Sequence, residues 1–91
     1  MTYSLIFAPR ALEDFEKIKK SGNQARLRKL RTILEELREH PLTGTGSPER
    51  LRYKSDTYSR RLSRKDRIVY SIHENVVEVK ILQMLGHYDD K

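Results

Sequence analysis

Two arginines placed to share one anion are the sharpest chemical feature of this chain. The run Tyr58-Ser59-Arg60-Arg61-Leu62-Ser63-Arg64-Lys65-Asp66-Arg67-Ile68-Val69-Tyr70 holds cations at positions 60, 61, 64, 65 and 67. It reads as two strands joined by a short turn. If Leu62, Ile68, Tyr70 and Ile72 face a core, strand alternation puts Arg61 and Arg67 on the opposite face. Residues directly opposite each other share a face, so Leu62 must pair with even-numbered residues and Arg61 falls opposite or beside Arg67. Two adjacent guanidiniums repel. A phosphate between them would replace that repulsion with bidentate, charge-assisted hydrogen bonds. The residues alone leave two alternatives open: both arginines solvated, or both paired with Glu49 or Glu78.

Other chemically able side chains are weaker signals taken singly. Glu49 follows Pro48 at the start of a strand, where it suits pairing with Arg52 or another surface cation. His87 stands near the C-terminus, where an exposed histidine is ordinary, and Tyr88 suits a packing anchor. Tyr53 and Tyr70 read as core or partner-surface residues, and His40 and His73 fall at a helix end and in a turn. Thr43-Gly44-Thr45-Gly46-Ser47-Pro48 contains a GxG, but it lacks the further glycine and the lysine of phosphate-cradling loops. It reads as a turn. Cysteine is absent, and neither an HxxxH nor an acidic cluster offers a metal set, so no metal or cofactor is expected.

The elements that must position these residues follow from periodicity. Tyr3 to Phe7 is rich in aromatic and β-branched residues and predicts a strand. Pro9 suits the first turn of a helix, Glu13 and Asp14 sit near its positive end, and Leu12, Phe15 and Ile18 form its buried stripe. Ser21-Gly22-Asn23 breaks that helix, and Asn23 caps a second. Leu27, Leu30, Leu34 and Leu37, with Ile33 beside them, form the second stripe, and His40-Pro41 ends it. Arg26, Lys29 and Arg31 read as a solvated face. Strands follow over 50–53, 58–62, 67–73 and 76–84, with His73-Glu74-Asn75 as the last hairpin turn. The expected class is α+β: an N-terminal strand and a helical hairpin packed on an antiparallel sheet.

Ninety-one residues make one domain, 1–91. Nineteen Lys and Arg against thirteen Asp and Glu leave a net charge of +6, which favours polyanionic partners. No apolar run approaches the roughly 20 residues that cross a bilayer, and the first residues lack the basic start of a signal peptide. A cytoplasmic protein is expected.

Taken in order, the segments resemble a known family. Gly44-x-Gly46-x-Pro48-Glu49-x-Leu51, Tyr58-Ser59-Arg60-Arg61-Leu62, Asp66-Arg67-Ile68-Val69-Tyr70 and His87-Tyr88 resemble the YoeB branch of the RelE toxin superfamily. The resemblance covers nearly the whole chain, and the specificity lies in the ordered combination. It implies a microbial-ribonuclease-like fold and a metal-independent endoribonuclease acting on messenger RNA at the ribosome. It further implies Glu49 as general base, His87 as general acid, Arg61 and Arg67 as holders of the scissile phosphate, and Tyr88 as a residue that orients or stacks on substrate. The partners implied are a cognate antitoxin with an acidic segment, mRNA and the ribosome, operator DNA through the antitoxin complex alone, and a second copy of the chain. This sequence departs from the branch in the added Asp89-Asp90-Lys91, and in Tyr58 where tryptophan is common. The alternative is a non-catalytic basic module that binds nucleic acid or an antitoxin. A structural role for a degenerate toxin is the third.

Overall fold

A computed structural model describes residues 2–52 and 54–86; Met1, Tyr53, His87, Tyr88 and Asp89 to Lys91 lie outside the described residues. The elements are β1 (Ser4–Phe7), α1 (Pro9–Lys20), α2 (Gln24–Glu39), β2 (Glu49–Arg50), β3 (Thr57–Arg61), β4 (Arg67–His73) and β5 (Glu78–Gln83). Strands β2 to β5 form an antiparallel meander, as the alternation predicts. The N-terminal strand joins the same sheet, parallel to β5, so the order is β1-β5-β4-β3-β2 and the sheet is mixed. The helical hairpin covers one face. Leu30, Ile33 and Leu37 of α2 pack with Leu62, Ile68, Tyr70 and Ile72, the inward-facing positions expected from strand phasing, and with Val79 and Ile81 of β5.

The α2 stripe is as expected, with Leu27 and Leu34 packed at its edge, whereas α1 differs in detail. In α1 the buried positions are Ala11, Asp14 and Ile18, whereas Leu12 is 52% exposed. Glu13 and Asp14 lie beyond the first turn, so neither serves the helix dipole there. Asp14 is buried because it captures backbone amides, as described below. Asn23 caps α2 as predicted, its side chain accepting from the Arg26 amide at 3.0 Å.

Two strands are shorter than the hydropathy pattern suggests. The strand expected over 50–53 is Glu49–Arg50, and that expected over 76–84 is Glu78–Gln83. The expected His73-Glu74-Asn75 turn is a 3-10 turn over Glu74–Val76 that closes on Val77 at φ 52°, ψ 52°. A β-branched residue in the left-handed region is strained by about 1–2 kcal/mol. Val77→Gly should therefore raise stability by about 0.5–1 kcal/mol after the added entropy of the unfolded chain is counted. Thermal unfolding checks this, and an unchanged or lower midpoint would contradict it.

The register carries one irregularity. Val69 pairs with Gln83 and Tyr70 with Ile81, so Leu82 is an extra residue bulging β5 near its end. Because β5 runs antiparallel to β4, its end lies beside the start of β4, where Arg67 lies.

Candidate active site

Strand register brings Arg61 and Arg67 into direct opposition at the turn end of the β3–β4 hairpin. Both point away from the helices. The turn between them is closed by Asp66, whose carbonyl accepts from the Leu62 amide at 2.9 Å and the Ser63 amide at 3.2 Å. β2 lies on the other side of β3 and pairs Glu49 with Ser59, which puts Glu49 on the same face. Arg67 Nη1 donates to Ser59 Oγ at 3.2 Å and stands 3.8 Å from Glu49 Oε2. Glu49 is 67% exposed at its side chain, so this pair is loose and solvent-screened. Arg61 is exposed and makes no ion pair or side-chain hydrogen bond among the described residues. The two guanidiniums thus keep most of their donors uncommitted.

The neighbouring Arg60 is the opposite case. Sharing parity with Leu62, it points into the helix face and is fully buried. Its Nε donates to Tyr70 Oη at 3.1 Å. Its Nη1 donates to Glu36 Oε1 at 2.6 Å and to the Thr45 carbonyl at 3.4 Å, and its Nη2 to the carbonyls of His40 and Thr43 at 3.1 and 2.8 Å. Every donor is used, so this arginine cannot hold a substrate. It fastens the loop 40–48 that delivers Glu49. Burial opposes ionisation of Glu36, but the Thr45 hydroxyl and amide and the Arg60 guanidinium outweigh it and hold the carboxyl below its ordinary range. Burial pushes the Tyr70 phenol up despite Arg60, so it stays protonated and donates to the Pro41 carbonyl at 2.9 Å.

This network also explains the GxG. Gly44 has φ 121°, and a Cβ there would lie 2.3 Å from Glu36 Oε1. Gly46 has φ 88°, its carbonyl accepts from the Arg61 amide at 2.7 Å, and a Cβ would lie 2.7 Å from the Arg61 carbonyl. The glycines let the loop wrap Arg60 and close on β3. Reading them as a turn rather than a phosphate cradle agrees with this geometry.

The approach to the C-terminus is fixed just as closely. The amides of Met84 and Leu85 donate to Asp14 Oδ2 at 3.0 and 3.1 Å, and the Gly86 amide donates to Asp66 Oδ1 at 2.9 Å. The Arg67 amide donates to the Gly86 carbonyl at 3.0 Å. Arg26 was expected on a solvated face. It is instead half-buried, its Nη1 3.2 Å from Asp66 Oδ2, while Arg31 remains exposed. His87 and Tyr88 lie outside the described residues, although His87 follows Gly86 directly in sequence. Sequence reasoning missed Arg60, Glu36, Asp14 and Asp66. Only for Arg60 was there a signal, since Leu62 fixes its parity.

Burial disfavours the charge of Asp66, yet the Gly86 amide, Ser63 hydroxyl and Arg26 lower its pKa from the ordinary 3.8; Glu36 is lowered from 4.5. A carboxyl whose pKa is depressed by folding contributes stability that is present above its unfolded pKa and lost as pH falls through its folded one. Stability should therefore hold from neutral pH down to these ordinary values and decline below them. Urea unfolding of the wild type and of Asp66→Asn between pH 6 and 3 checks this: the variant should show a shallower acid slope, and parallel curves would contradict the assignment.

Two concavities are lined by neither Arg61 nor Arg67: one of about 510 Å³ lined by Thr2, Tyr3, Ser4, Leu5 and Arg38, the other of about 190 Å³ around Leu42, Tyr58 and Ile72. Arg61 is exposed and Arg67 is half-buried among the described residues. Among the described residues no group of three His, Cys, Asp or Glu side chains is placed to hold a metal ion, and no helix is long and apolar enough to cross a membrane. Residues 7–88, which include β3, β4 and both arginines, match the YoeB-like toxins of bacterial type II toxin-antitoxin systems. The chain belongs to this family. Among solved structures the toxin is similar to the YoeB dimer from Staphylococcus aureus, with 28% identity, a TM-score of 0.81, and coverage of 97% of this chain and 100% of that one. It is similar to the toxin in the YoeB-YefM complex from the same organism, with 30% identity, a TM-score of 0.76 and coverage of 97% and 100%. The YoeB/ParE toxin from Agrobacterium tumefaciens shares its fold at 24% identity, with a TM-score of 0.82 and coverage of 93% and 99%. A comparison with curated proteins finds no match.

Proposed function

We propose that this toxin is a ribosome-dependent, metal-independent endoribonuclease that cleaves mRNA in the ribosomal A site and so inhibits translation. One observation carries the proposal. Arg61 and Arg67 present uncommitted donors on the face that bears Glu49, and the backbone of Arg67 holds the residue preceding His87. A charged face that is exposed among the described residues suits a polymer better than a small molecule, which needs an enclosing pocket.

In the proposed step, Glu49 takes the proton of the RNA 2′-hydroxyl, and the 2′-oxygen bonds to the adjacent phosphorus. The bond from phosphorus to the 5′-oxygen breaks, and His87 gives that oxygen a proton. The products are a 2′,3′-cyclic phosphate and a 5′-hydroxyl. Arg61 and Arg67 hold the phosphate and stabilise the charge that builds on its equatorial oxygens. Tyr88 orients the substrate or stacks on a base. A histidine with an ordinary pKa near 6.5 is protonated in a useful fraction at neutral pH, more so beside a phosphate.

The partners proposed are a cognate antitoxin whose acidic segment folds onto the basic face, operator DNA through that complex alone, and a second copy of the toxin, all in the cytoplasm. The similar S. aureus toxin occurs both as a dimer and with YefM. Brief expression of the toxin, alone and as His87→Ala, with mapping of mRNA 5′ ends, tests the reading. New ends at codon-related positions are expected from the wild type only. Normal growth without new ends, with folded protein present, would favour a non-catalytic binding module instead.

A further inference from the structure

We propose that Asp14 and Asp66 are positioning residues for the general acid. Together they fix the three residues before His87 against the start of β4. This inference rests on the nuclease reading above and adds to it two side chains that touch no substrate.

The geometry is economical in its use of donors. β5 ends at Gln83, and beyond it the amides of residues 84 to 86 have no strand to pair with. Three successive amides are taken by two carboxylates, one from the middle of α1 and one from the β3–β4 turn. Each carboxylate is held in turn. Arg10 Nε lies 3.2 and 3.1 Å from the two Asp14 oxygens, and its Nη2 donates to the Leu85 carbonyl at 3.0 Å. Asp66 is held by Arg26 at 3.2 Å and by the Ser63 hydroxyl at 2.9 Å. Gly86 turns the chain at φ 83°, and its carbonyl accepts from the Arg67 amide.

Asp14 is 1% exposed on a helix face otherwise lined by Ala11 and Ile18. An apolar residue there would avoid the cost of burying a carboxylate, but it would orphan two amides. What the carboxylates secure is the placement of a short, irregular segment beside the phosphate-holding arginine. General acid catalysis depends on such placement, since a displacement near 1 Å can cost about 10²-fold in rate.

The leaving group provides the test. Single-turnover cleavage is measured on ribosomes programmed with an ordinary mRNA and with one whose scissile 5′-oxygen is replaced by sulfur. A thiolate, with a conjugate-acid pKa near ~8.5, departs without the proton that an alkoxide needs. At saturating toxin, Asp66→Ala and Asp14→Ala are expected to slow cleavage of the oxygen substrate by about 10- to 100-fold. On the sulfur substrate they should stay within about threefold of wild type, as should His87→Ala. Asp66→Asn, which keeps an oxygen to accept the Gly86 amide, should recover most of the loss. If Asp66→Ala does not fold, Asp66→Glu makes the same comparison, because it keeps the charge but displaces the acceptor by one methylene.

Equal losses on both substrates, or no loss on either, would overturn the positioning role while leaving the nuclease reading intact if His87→Ala remains selective for the oxygen substrate. A wild-type toxin that cleaves neither substrate would remove the nuclease reading and the positioning role together.

Discussion

Arg60→Met is expected to lower the stability of the toxin by about 3–5 kcal/mol, because it takes the charged donor from the half-buried Glu36 carboxylate and leaves a set of carbonyls without theirs. Domains of this size are stable by only about 5–15 kcal/mol, so the variant should be largely unfolded well below the wild-type midpoint. The reason is the completeness of the network. Glu36 Oε1, Tyr70 Oη and the carbonyls of His40, Thr43 and Thr45 all converge on one guanidinium that is 0% exposed. Arg60→Lys keeps the charge, but its three donors radiate from one nitrogen and cannot span these acceptors, so it should lose a large part of the same stability. Arg61→Met, one position along, removes an exposed side chain with no partner among the described residues and should change stability by less than about 0.5 kcal/mol. Urea unfolding followed by circular dichroism makes the comparison. Similar midpoints for the Arg60 and Arg61 variants would show that the buried network contributes little.

The second large effect concerns rate. On the proposed nuclease reading, Arg67→Ala is expected to reduce single-turnover cleavage by about 10²–10³-fold, the cost of removing one donor aimed at developing charge. Its folding should be nearly intact, since the side chain makes one hydrogen bond to Ser59 and a loose pair with an exposed Glu49. Arg67→Lys should recover little, because a point charge does not reproduce the two parallel donors of a guanidinium. Measured beside a thermal unfolding curve, the loss of rate must appear without a comparable loss of stability. Wild-type cleavage by Arg67→Ala would remove Arg67 from the chemistry and leave Arg61 as the phosphate holder.

These two variants concern arginines seven positions apart on one hairpin, and what was legible in the sequence differs between them. That Arg61 and Arg67 share the outer face follows from parity: once Leu62 and Ile68 face inward, the odd positions face outward, and the register of the structure then sets the two directly opposite. The same parity places Arg60 inward. Hydropathy argues against that position, because a buried arginine is tolerable only when distant acceptors are already arranged around it. Those acceptors come from α2 and the loop 40–48, and no local pattern announces their convergence.

Asp14 is a similar case. At helical spacing it looked like an acid favoured by the helix dipole, and its true partners are 70 and 71 residues away. The bulge at Leu82 and the left-handed Val77 are likewise settled by how β5 must meet its neighbours rather than by their own residue types.

The sequence by itself determined the element order, the inward stripe of α2, the outward arginine pair and, through ordered motifs, the family. Each is a matter of local period or of residue types at fixed separations, and short-range sterics and burial enforce both. Only the tertiary structure decided that the helical hairpin lies over a mixed sheet with β1 beside β5. It also decided that Arg60 is a fastener and not a ligand, and that Asp14 and Asp66 hold the chain that leads to His87. Those outcomes depend on satisfying buried polar groups across the fold, and the partners that satisfy them are brought together only by packing.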